Sequence, residues 1–261
     1  GYFKDEGLDL TLVTGFGADK TMTAVISGEA DIGFMGAEAS VYAYQEGATD
    51  AVVNFAQLTQ RAGNFLVARE EMPDFKWEDL KDKKVLGGRK GGMPEMVFEY
   101  ILRKNGLDPQ KDLTIDQGID FGSTAAAFSE GSGDFTVEFE PSATALEMEG
   151  KGYVVASLGV DSGYVPYTSY SAKTSYMEKN PEIIQKFTNA LQKGMEYVQS
   201  HTPEEIANRP EIGPYDKPRQ THINDITPRN FVEVCVDLKQ QGLAGYDSWY
   251  SRPEPEYTLP A

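Results

Sequence analysis

The sequence predicts an α/β fold organised as two lobes, with the second lobe inserted into the first. Three observations carry this prediction: strand and helix patterns alternate along the chain, a polar stretch interrupts them at 72–84, and the alternation restarts at Lys84. Strands that alternate with helices are typical of a parallel sheet with helices on both faces. Each lobe is therefore expected to have three layers. We place residues 1–73 and 165–261 in the first lobe and residues 74–164 in the second.

The first lobe opens with a strand pattern followed by a helix pattern. Residues 8–13 (LDLTLV) alternate and are rich in β-formers, which predicts a strand. Met22, Val25 and Ile26 then recur at helical spacing, and Gly28 ends that helix. A short helix is predicted at 37–46, and further strands of this lobe are predicted at 30–35, 51–57 and 65–69.

The second lobe repeats the same succession of elements. Residues 84–87 form a predicted strand, and the loop GRKGGMPEM at 88–96 leads into a helix that Gly106 ends. Residues 131–141 (GSGDFTVEFEP) contain a turn, a strand and the start of a helix with proline near its first position. A further helix is expected to begin at Ser123, and the other strands are predicted at 113–116 and 153–157.

The chain then returns to the first lobe. Residues 167–172 form the predicted return strand, and an amphipathic helix follows at 181–200. The stretch 202–226 is polar and rich in proline, and its sequence predicts no regular element. A last helix is predicted from Thr227 to Gly242.

The two lobes are predicted to be joined by two crossings, which is the layout of proteins that close about a hinge. These crossings are placed near 69–76 and near 160–168. Several predicted strands end in a short turn that starts a helix, and ligands in open α/β sheets lie outside the carboxyl ends of the strands. Helix starts also present unpaired N–H groups. Five such turns are expected to face one cleft, at Gly15–Gly17, Gly36–Ala37, Gly88–Met93, Gly122–Ser123 and Glu140–Pro141.

Five side chains near these turns and crossings are candidates for ligand contact. Glu38 and Glu140 each fall at a predicted helix start, where a carboxylate either caps the helix or points into the cleft. In the cleft they would favour a ligand with N–H donors or positive charge. Gln60 and Arg61 follow a strand, and Arg61 either receives an acidic group or pairs with one of 41 acidic residues. Tyr167 either covers the ligand or lies half-buried at the surface.

Composition excludes several functional classes. The chain has 24 basic and 41 acidic residues, a net charge of −17, so it lacks the basic face that nucleic acid requires. No run approaches the ~18 apolar residues of a membrane span. The single Cys235 cannot form an intramolecular disulfide, and His201 and His222 lie in polar stretches, so no metal site is predicted.

Catalytic motifs are absent from the sequence. It contains no Gly-x-Ser-x-Gly, His-Glu-x-x-His or Cys-x-x-Cys, and GGRKGGMP at 87–94 lacks the Gly-Lys-Ser/Thr of a phosphate loop. We interpret those glycines as a turn that lets the backbone approach a ligand closely. The sequence therefore predicts no catalytic residue and no cofactor.

The chain resembles the solute-binding proteins of nitrate, sulfonate and taurine import systems, a broad family that also contains binders of thiamine-pyrimidine precursors. The segments GYFKDEGLDLTLV (1–13) and MTAVISGEADIGFMGAE (22–38) resemble the first lobe of that family. The stretches KDKKVLGGRKGGMPEM, GDFTVEFEPSA and GYVPYTSYSAK resemble its second lobe and return crossing. The resemblance covers about residues 1–200, and SGEADIGFMG is its most specific part.

This resemblance implies a type II periplasmic-binding-protein fold and a role outside the cytoplasm. The protein would lie in the periplasm, or be a lipoprotein anchored at the outer face of the membrane, and would deliver a small solute to ABC permease subunits as a monomer. Family members carry a strand before "GYF", so the resemblance implies that the N-terminal strand of the first lobe is missing. By position it implies ligand contacts for Gly36, Ala37, Glu38, Gln60, Gly91, Gly92, Met93, Glu140 and Tyr167.

Two other functions share this fold class. A pyrimidine-precursor synthase uses clustered cysteines with a histidine, which one cysteine and two histidines do not provide. The effector-sensing domain of a transcription regulator follows a basic helix-turn-helix, and nothing basic precedes Gly1. The prediction is thus a binding protein, not an enzyme, that closes on a sulfonate-like or taurine-like solute or on a nitrogen heterocycle.

Overall fold

The structure, a computed structural model, describes residues 1–15, 17–88, 90–119, 121–202 and 205. The described part of the chain is a mixed α/β structure, which confirms the predicted fold class. Its strands are β1 (Gly33–Gly36), β2 (Val52–Thr59), β3 (Asn64–Ala68), β4 (Lys84–Leu86), β5 (Thr114–Asp116), β6 (Phe135–Phe139), β7 (Tyr153–Ser157) and β8 (Thr168–Lys173).

Helices flank these strands, and four of those described begin within three residues of the end of a strand. The α-helices are α1 (Tyr2–Asp5), α2 (Ala18–Ser27), α3 (Glu38–Gln45), α4 (Met93–Lys104), α5 (Thr124–Ser129), α6 (Ser142–Met148), α7 (Leu158–Ser162), α8 (Thr174–Lys179) and α9 (Pro181–Ser200). The four that begin close to a strand end are α3, α6, α7 and α8. Short 3-10 turns lie at Trp77–Leu80 and Phe121–Ser123. Within the described part of the chain, no helix is both long and apolar enough to cross a membrane.

The strands form two separate sheets. One has the order β1-β8-β2, and the other has the order β5-β4-β6-β3-β7. Strand β4 runs parallel to β5 and β6, whereas β3 and β8 run antiparallel to all of their neighbours. The prediction of parallel sheets is therefore confirmed only for β5-β4-β6. The chain enters β3 from the three-stranded sheet and enters β8 from the five-stranded sheet. Each of these two strands therefore starts at the end of its sheet where the neighbouring strands finish.

Strand β3 corrects the predicted position of the first crossing. All five of its residues are buried, and it pairs with β6 from Asn64 opposite Phe139 to Ala68 opposite Phe135. It therefore belongs to the five-stranded sheet, although the predicted boundary after residue 73 left it in the first lobe. The chain crosses at 60–63, not near 69–76. A short apolar run predicts a strand, but its own sequence does not specify which neighbours it pairs with.

Residues 8–13 do not form the predicted strand. Leu12 is 95% exposed and Val13 is 79% exposed, and no strand of the described residues pairs with this segment. A run of β-formers becomes a strand only where a neighbour accepts and donates the ladder hydrogen bonds. The alternation of side chains in a single segment carries no information about that neighbour.

The other predicted elements between 22 and 200 are confirmed to within a few residues, including the return strand and the long helix α9. Helix α9 packs on the three-stranded sheet through Phe187, whose ring centroid lies 5.0 Å from that of Phe3 and 5.1 Å from that of Tyr170. The predictions for the segment 202–226, the helix from Thr227, His222 and Cys235 fall outside the described residues, apart from Thr202 and Glu205.

The largest core lies between the five-stranded sheet and α4. Phe98, Ile101 and Leu102 of that helix are fully buried, and Leu66 of β3 and Leu158 of α7 are in the same cluster. Burying an aromatic or branched side chain contributes about 1.5–3 kcal/mol. This core fixes α4 firmly on its sheet and so fixes the position of the helix start at Met93.

Candidate functional site

The starts of helices α3 and α4 meet between the two sheets. Helix α3 follows β1 of the three-stranded sheet, and α4 follows the glycine loop after β4 of the five-stranded sheet. The Met93 N–H donates a hydrogen bond to Glu38 Oε1 at 3.0 Å, and the Tyr42 hydroxyl donates to Met96 Sδ at 3.7 Å. The predicted turns at Gly36–Ala37 and at Gly88–Met93 therefore face one another, as the sequence suggested.

Glu38 is held at this position by its own helix and by its neighbours. Burial raises the pKa of its carboxyl group, and hydrogen bonds from the backbone N–H groups of Glu38 and Met93 act in the opposite direction. A Cβ atom at Gly36 would overlap both carboxylate oxygens, so the absence of a side chain there leaves room for the acid. The second oxygen, Oε2, is buried and has no hydrogen-bond partner among the described residues.

Tyr167 lies beside Glu38 in the returning chain. Its carbonyl accepts a hydrogen bond from Ala37 N–H at 3.4 Å, and its N–H donates to the Thr59 carbonyl at 3.2 Å. The side chain is buried, and its hydroxyl has no hydrogen-bond partner in the described structure. Burial raises the pKa of that hydroxyl strongly, and the negative charge of Glu38 raises it further.

The Glu38 carboxylate and the Tyr167 hydroxyl are the two groups that identify this junction as a candidate binding site. A buried polar atom without a partner is rare in folded proteins and points to a strained site, a bound water or a ligand. Here an acceptor, Glu38 Oε2, and a hydroxyl, Tyr167 OH, both lack a partner among the described residues at the junction of the two sheets. A third unpartnered buried group, the amide of Asn64 at the start of β3, was not identified from the sequence.

The glycine loop before α4 is fixed by an acid that the sequence analysis also missed. Gly91 has a left-handed backbone (φ 78°), and its N–H donates to the buried carboxylate of Glu95, which also accepts from the Gln117 side chain. Gly92 is the extended residue that precedes the helix. A glutamate three residues after the N-cap commonly reaches back to that end of the helix. The spacing from Gly92 to Glu95 was therefore the available signal.

Arg61 and Gln60 connect the two crossings. Arg61 Nη1 donates to the Gly159 carbonyl at 2.9 Å, and its guanidinium lies 4.3 Å from the centre of the Tyr164 ring. The Gln60 carbonyl accepts from Val165 N–H at 2.8 Å, while the Gln60 side chain is exposed. The two crossings thus run side by side. Arg61 contacts α7 through Gly159 and the second crossing through Tyr164. Neither contact supports a role in binding an acidic group of the ligand.

Glu140 caps a helix, as one of its two interpretations proposed. Its buried carboxylate accepts hydrogen bonds from Thr144 N–H at 3.1 Å and from Thr144 Oγ1 at 3.2 Å, at the start of α6. Burial raises its pKa to about 7, the hydrogen bonds from Thr144 lower it, and the charge of Glu147 raises it. Both oxygens are engaged, so the geometry favours the cap and not a second carboxylate opposite Glu38.

Metal binding has no structural support in the part of the chain that is described. Among those residues, no three or more His, Cys, Asp or Glu side chains are grouped closely enough to hold an ion. The arrangement of Glu38 and Tyr167 offers hydrogen bonds and charge, which is the chemistry of recognition.

The sequence matches a known protein family. Residues 1–206 match the profile of the family described as NMT1/THI5 like. YtlA of Bacillus subtilis (strain 168), which is named as a candidate binding protein, is 49% identical over 208 residues. Those residues are 80% of this chain and 62% of YtlA, so the chain spans less than two thirds of that curated relative.

Solved structures share the fold at low sequence identity. The alkanesulfonate-binding protein SsuA from Xanthomonas axonopodis pv. citri, bound to MOPS, has a TM-score of 0.64 at 18% identity, over 76% of this chain and 67% of SsuA. The periplasmic nitrate-binding protein NrtA from Synechocystis PCC 6803 also has a TM-score of 0.64, at 16% identity, over 79% of this chain and 58% of NrtA.

A third structure aligns over nearly the whole chain. The ligand-binding component of an ABC-type import system from Staphylococcus aureus, with zinc bound, has a TM-score of 0.65 at 16% identity. The alignment covers 97% of this chain and 91% of that one. These similarities confirm the predicted fold, that of periplasmic binding proteins.

Proposed function

We propose that this chain, which belongs to the NMT1/THI5-like family, is the extracytoplasmic solute-binding component of an ABC importer. It binds a small polar organic solute and passes it to membrane permease subunits, without chemistry of its own and as a monomer. The relatives named as binding proteins support this role. Anchoring to the outer face of the membrane by a lipid is part of the same proposal.

The two sheets are the cores of two lobes in this proposal. The crossings at 60–63 and 163–167 lie side by side, so both can bend together as a hinge. Closure brings the start of α3 onto the start of α4 and makes the hydrogen bond between Met93 and Glu38. The ligand then lies between the lobes, against the carboxyl ends of β1 and β4.

One observation carries the proposal: Glu38 Oε2 and the Tyr167 hydroxyl lie at the contact between the lobes, and in the described part of the chain neither has a hydrogen-bond partner. A solute with an N–H or cationic group supplies the donor that Oε2 lacks, in a charge-assisted hydrogen bond. A bare anion such as nitrate would meet a like charge in a partly desolvated cleft, which is unfavourable. The solute is therefore a nitrogen heterocycle or a zwitterion of the taurine type.

Replacement of Glu38 by glutamine tests this site. We expect Glu38→Gln to keep the shape and to lower the affinity for the bound solute by about 1–3 kcal/mol, because the hydrogen bond loses its charge. The measurement is isothermal titration calorimetry of the full chain against nitrate, taurine, an alkanesulfonate and 4-aminopyrimidine. At least one organic solute with an N–H donor should bind, and nitrate should not.

Glu140→Gln is the matched control, since this acid is also buried but caps α6. Its affinity for the same solute should stay within experimental error of the unmodified protein. Tight binding of nitrate that Glu38→Gln leaves unchanged would show that Glu38 is only a helix cap and that the proposed ligand class is wrong.

A further inference from the structure

Asn64 stands at the point where the first crossing enters the five-stranded sheet. Its side chain is completely buried, and neither its amide nitrogen nor its amide oxygen has a hydrogen-bond partner among the described residues. A side-chain amide has two N–H donors and an oxygen acceptor. Burying these groups without hydrogen bonds costs free energy. Folding alone does not account for an asparagine here, because an apolar residue of similar size would avoid that cost.

Strand pairing places Asn64 on the same side of the sheet as Tyr167. Asn64 is directly opposite Phe139 in the antiparallel pair of β3 and β6, and side chains of such a pair project from the same face. The Phe139 ring centroid lies 6.4 Å from that of Tyr167. Leu66, two residues after Asn64 and therefore on the same face, belongs to the cluster that contains Tyr167.

We infer that Asn64 is a specificity-determining residue of the ligand site, which pairs with a donor and an acceptor that are adjacent on one edge of the solute. The inference rests on the proposed function and narrows its ligand class. An asparagine amide can bind such an edge through both of its polar groups at once, as it does with the edge of adenine. The edge of a primary carboxamide or of an amino-substituted nitrogen ring has this pattern.

Three of the four buried groups that have unpartnered atoms among the described residues, namely all but Glu147, then have complementary roles. The Asn64 amide pairs with the donor–acceptor edge, Glu38 Oε2 accepts from a further N–H, and the Tyr167 hydroxyl donates to or accepts from the remaining polar atom. A sulfonate or nitrate group offers acceptors only, so the Asn64 oxygen would stay unpartnered. Sites built on such hydrogen bonds reject analogues that lack the matching group.

Variants at Asn64 in the full chain test the inference. The probes are nicotinamide for the carboxamide edge and cytosine for the amino-heterocycle edge, with taurine and an alkanesulfonate as comparators, all by titration calorimetry. We expect one probe to bind, and Asn64→Leu and Asn64→Ala to weaken it by about 10- to 100-fold. The melting temperature of unliganded Asn64→Leu should stay equal or rise, since an unpartnered amide has been removed.

Each other result has a distinct meaning. If a probe binds and neither variant weakens that binding, the proposed role of Asn64 is wrong. The role is also wrong if Asn64→Leu lowers the melting temperature and leaves the affinity unchanged. Binding of taurine without either probe would overturn the donor–acceptor edge and leave the proposed function standing. Binding of the alkanesulfonate alone would also overturn the requirement for an N–H or cationic group at Glu38. If nothing in the panel binds, the proposed function fails and this inference fails with it. If Asn64→Leu does not fold, Asn64→Ala still tests the role of the amide.

Discussion

Truncation of Phe98 to alanine is expected to lower the free energy of unfolding by about 3–5 kcal/mol. Phe98 is fully buried on α4, in the core between that helix and the five-stranded sheet, and its ring centroid lies 6.3 Å from that of Trp77. Removing the ring loses its burial and leaves a cavity that close-packed neighbours fill only in part.

The same change should also weaken ligand binding, although Phe98 lies outside the site. The buried face of α4 holds the helix start, and with it the Met93 N–H that bonds to Glu38. A helix that is less firmly packed places this N–H less accurately. Urea denaturation and titration of the bound solute measure the two effects on one sample.

Tyr100→Ala is the matched control for Phe98→Ala. Tyr100 lies on the same helix but is 49% exposed, so its truncation should cost less than about 1 kcal/mol. Equal losses for the two variants would contradict the core packing described for α4. A large loss of stability with full ligand affinity would refute the link between this core and the site.

The sequence predicted elements well where periodicity alone defines them. Helix α9 and strand β8 were predicted almost to the residue, because amphipathic spacing and β-formers are local properties. The sheet to which β3 belongs and the absence of a strand at 8–13 were not predictable in this way. Both depend on partners distant in the chain, which a single segment does not specify.

The same division holds for the candidate site. Glu38 and Tyr167 were predicted as ligand contacts, and the structure places them side by side because each lies where a strand of the three-stranded sheet begins or ends. For Glu140 and Arg61 the sequence left two interpretations open, since it does not specify their partners. Asn64 was missed because an amide before an apolar run resembles a turn residue until its burial is known.

Replacement of Glu138 by glutamine is expected to raise the free energy of unfolding at pH 8 by about 3 kcal/mol. Glu138 is buried in β6, where its Oε1 accepts a hydrogen bond from Thr136 Oγ1 at 2.6 Å. Burial raises its pKa from 4.5 to about 7, and hydrogen bonds from Thr136 and Thr124 oppose that rise. The folded state thus holds the proton more tightly, so this group's contribution to stability is complete below pH 4.5 and is lost as the pH rises through 7. A neutral glutamine keeps the acceptor for Thr136 and removes the cost of ionisation.

Urea denaturation of Glu138→Gln and the unmodified protein at pH 4.5, 6 and 8 measures this gain as a difference between the two. The net charge of −17 makes the stability of both proteins depend on pH. This common contribution cancels when the free energy of unfolding of one protein is subtracted from that of the other. The gain should be near zero at pH 4.5 and largest at pH 8. Glu130→Gln, at an exposed position, should change the free energy of unfolding by no more than about 0.5 kcal/mol, because substitutions at exposed positions have small effects. A difference that is constant across the three pH values would mean that Glu138 ionises in the folded protein as it does in the unfolded chain.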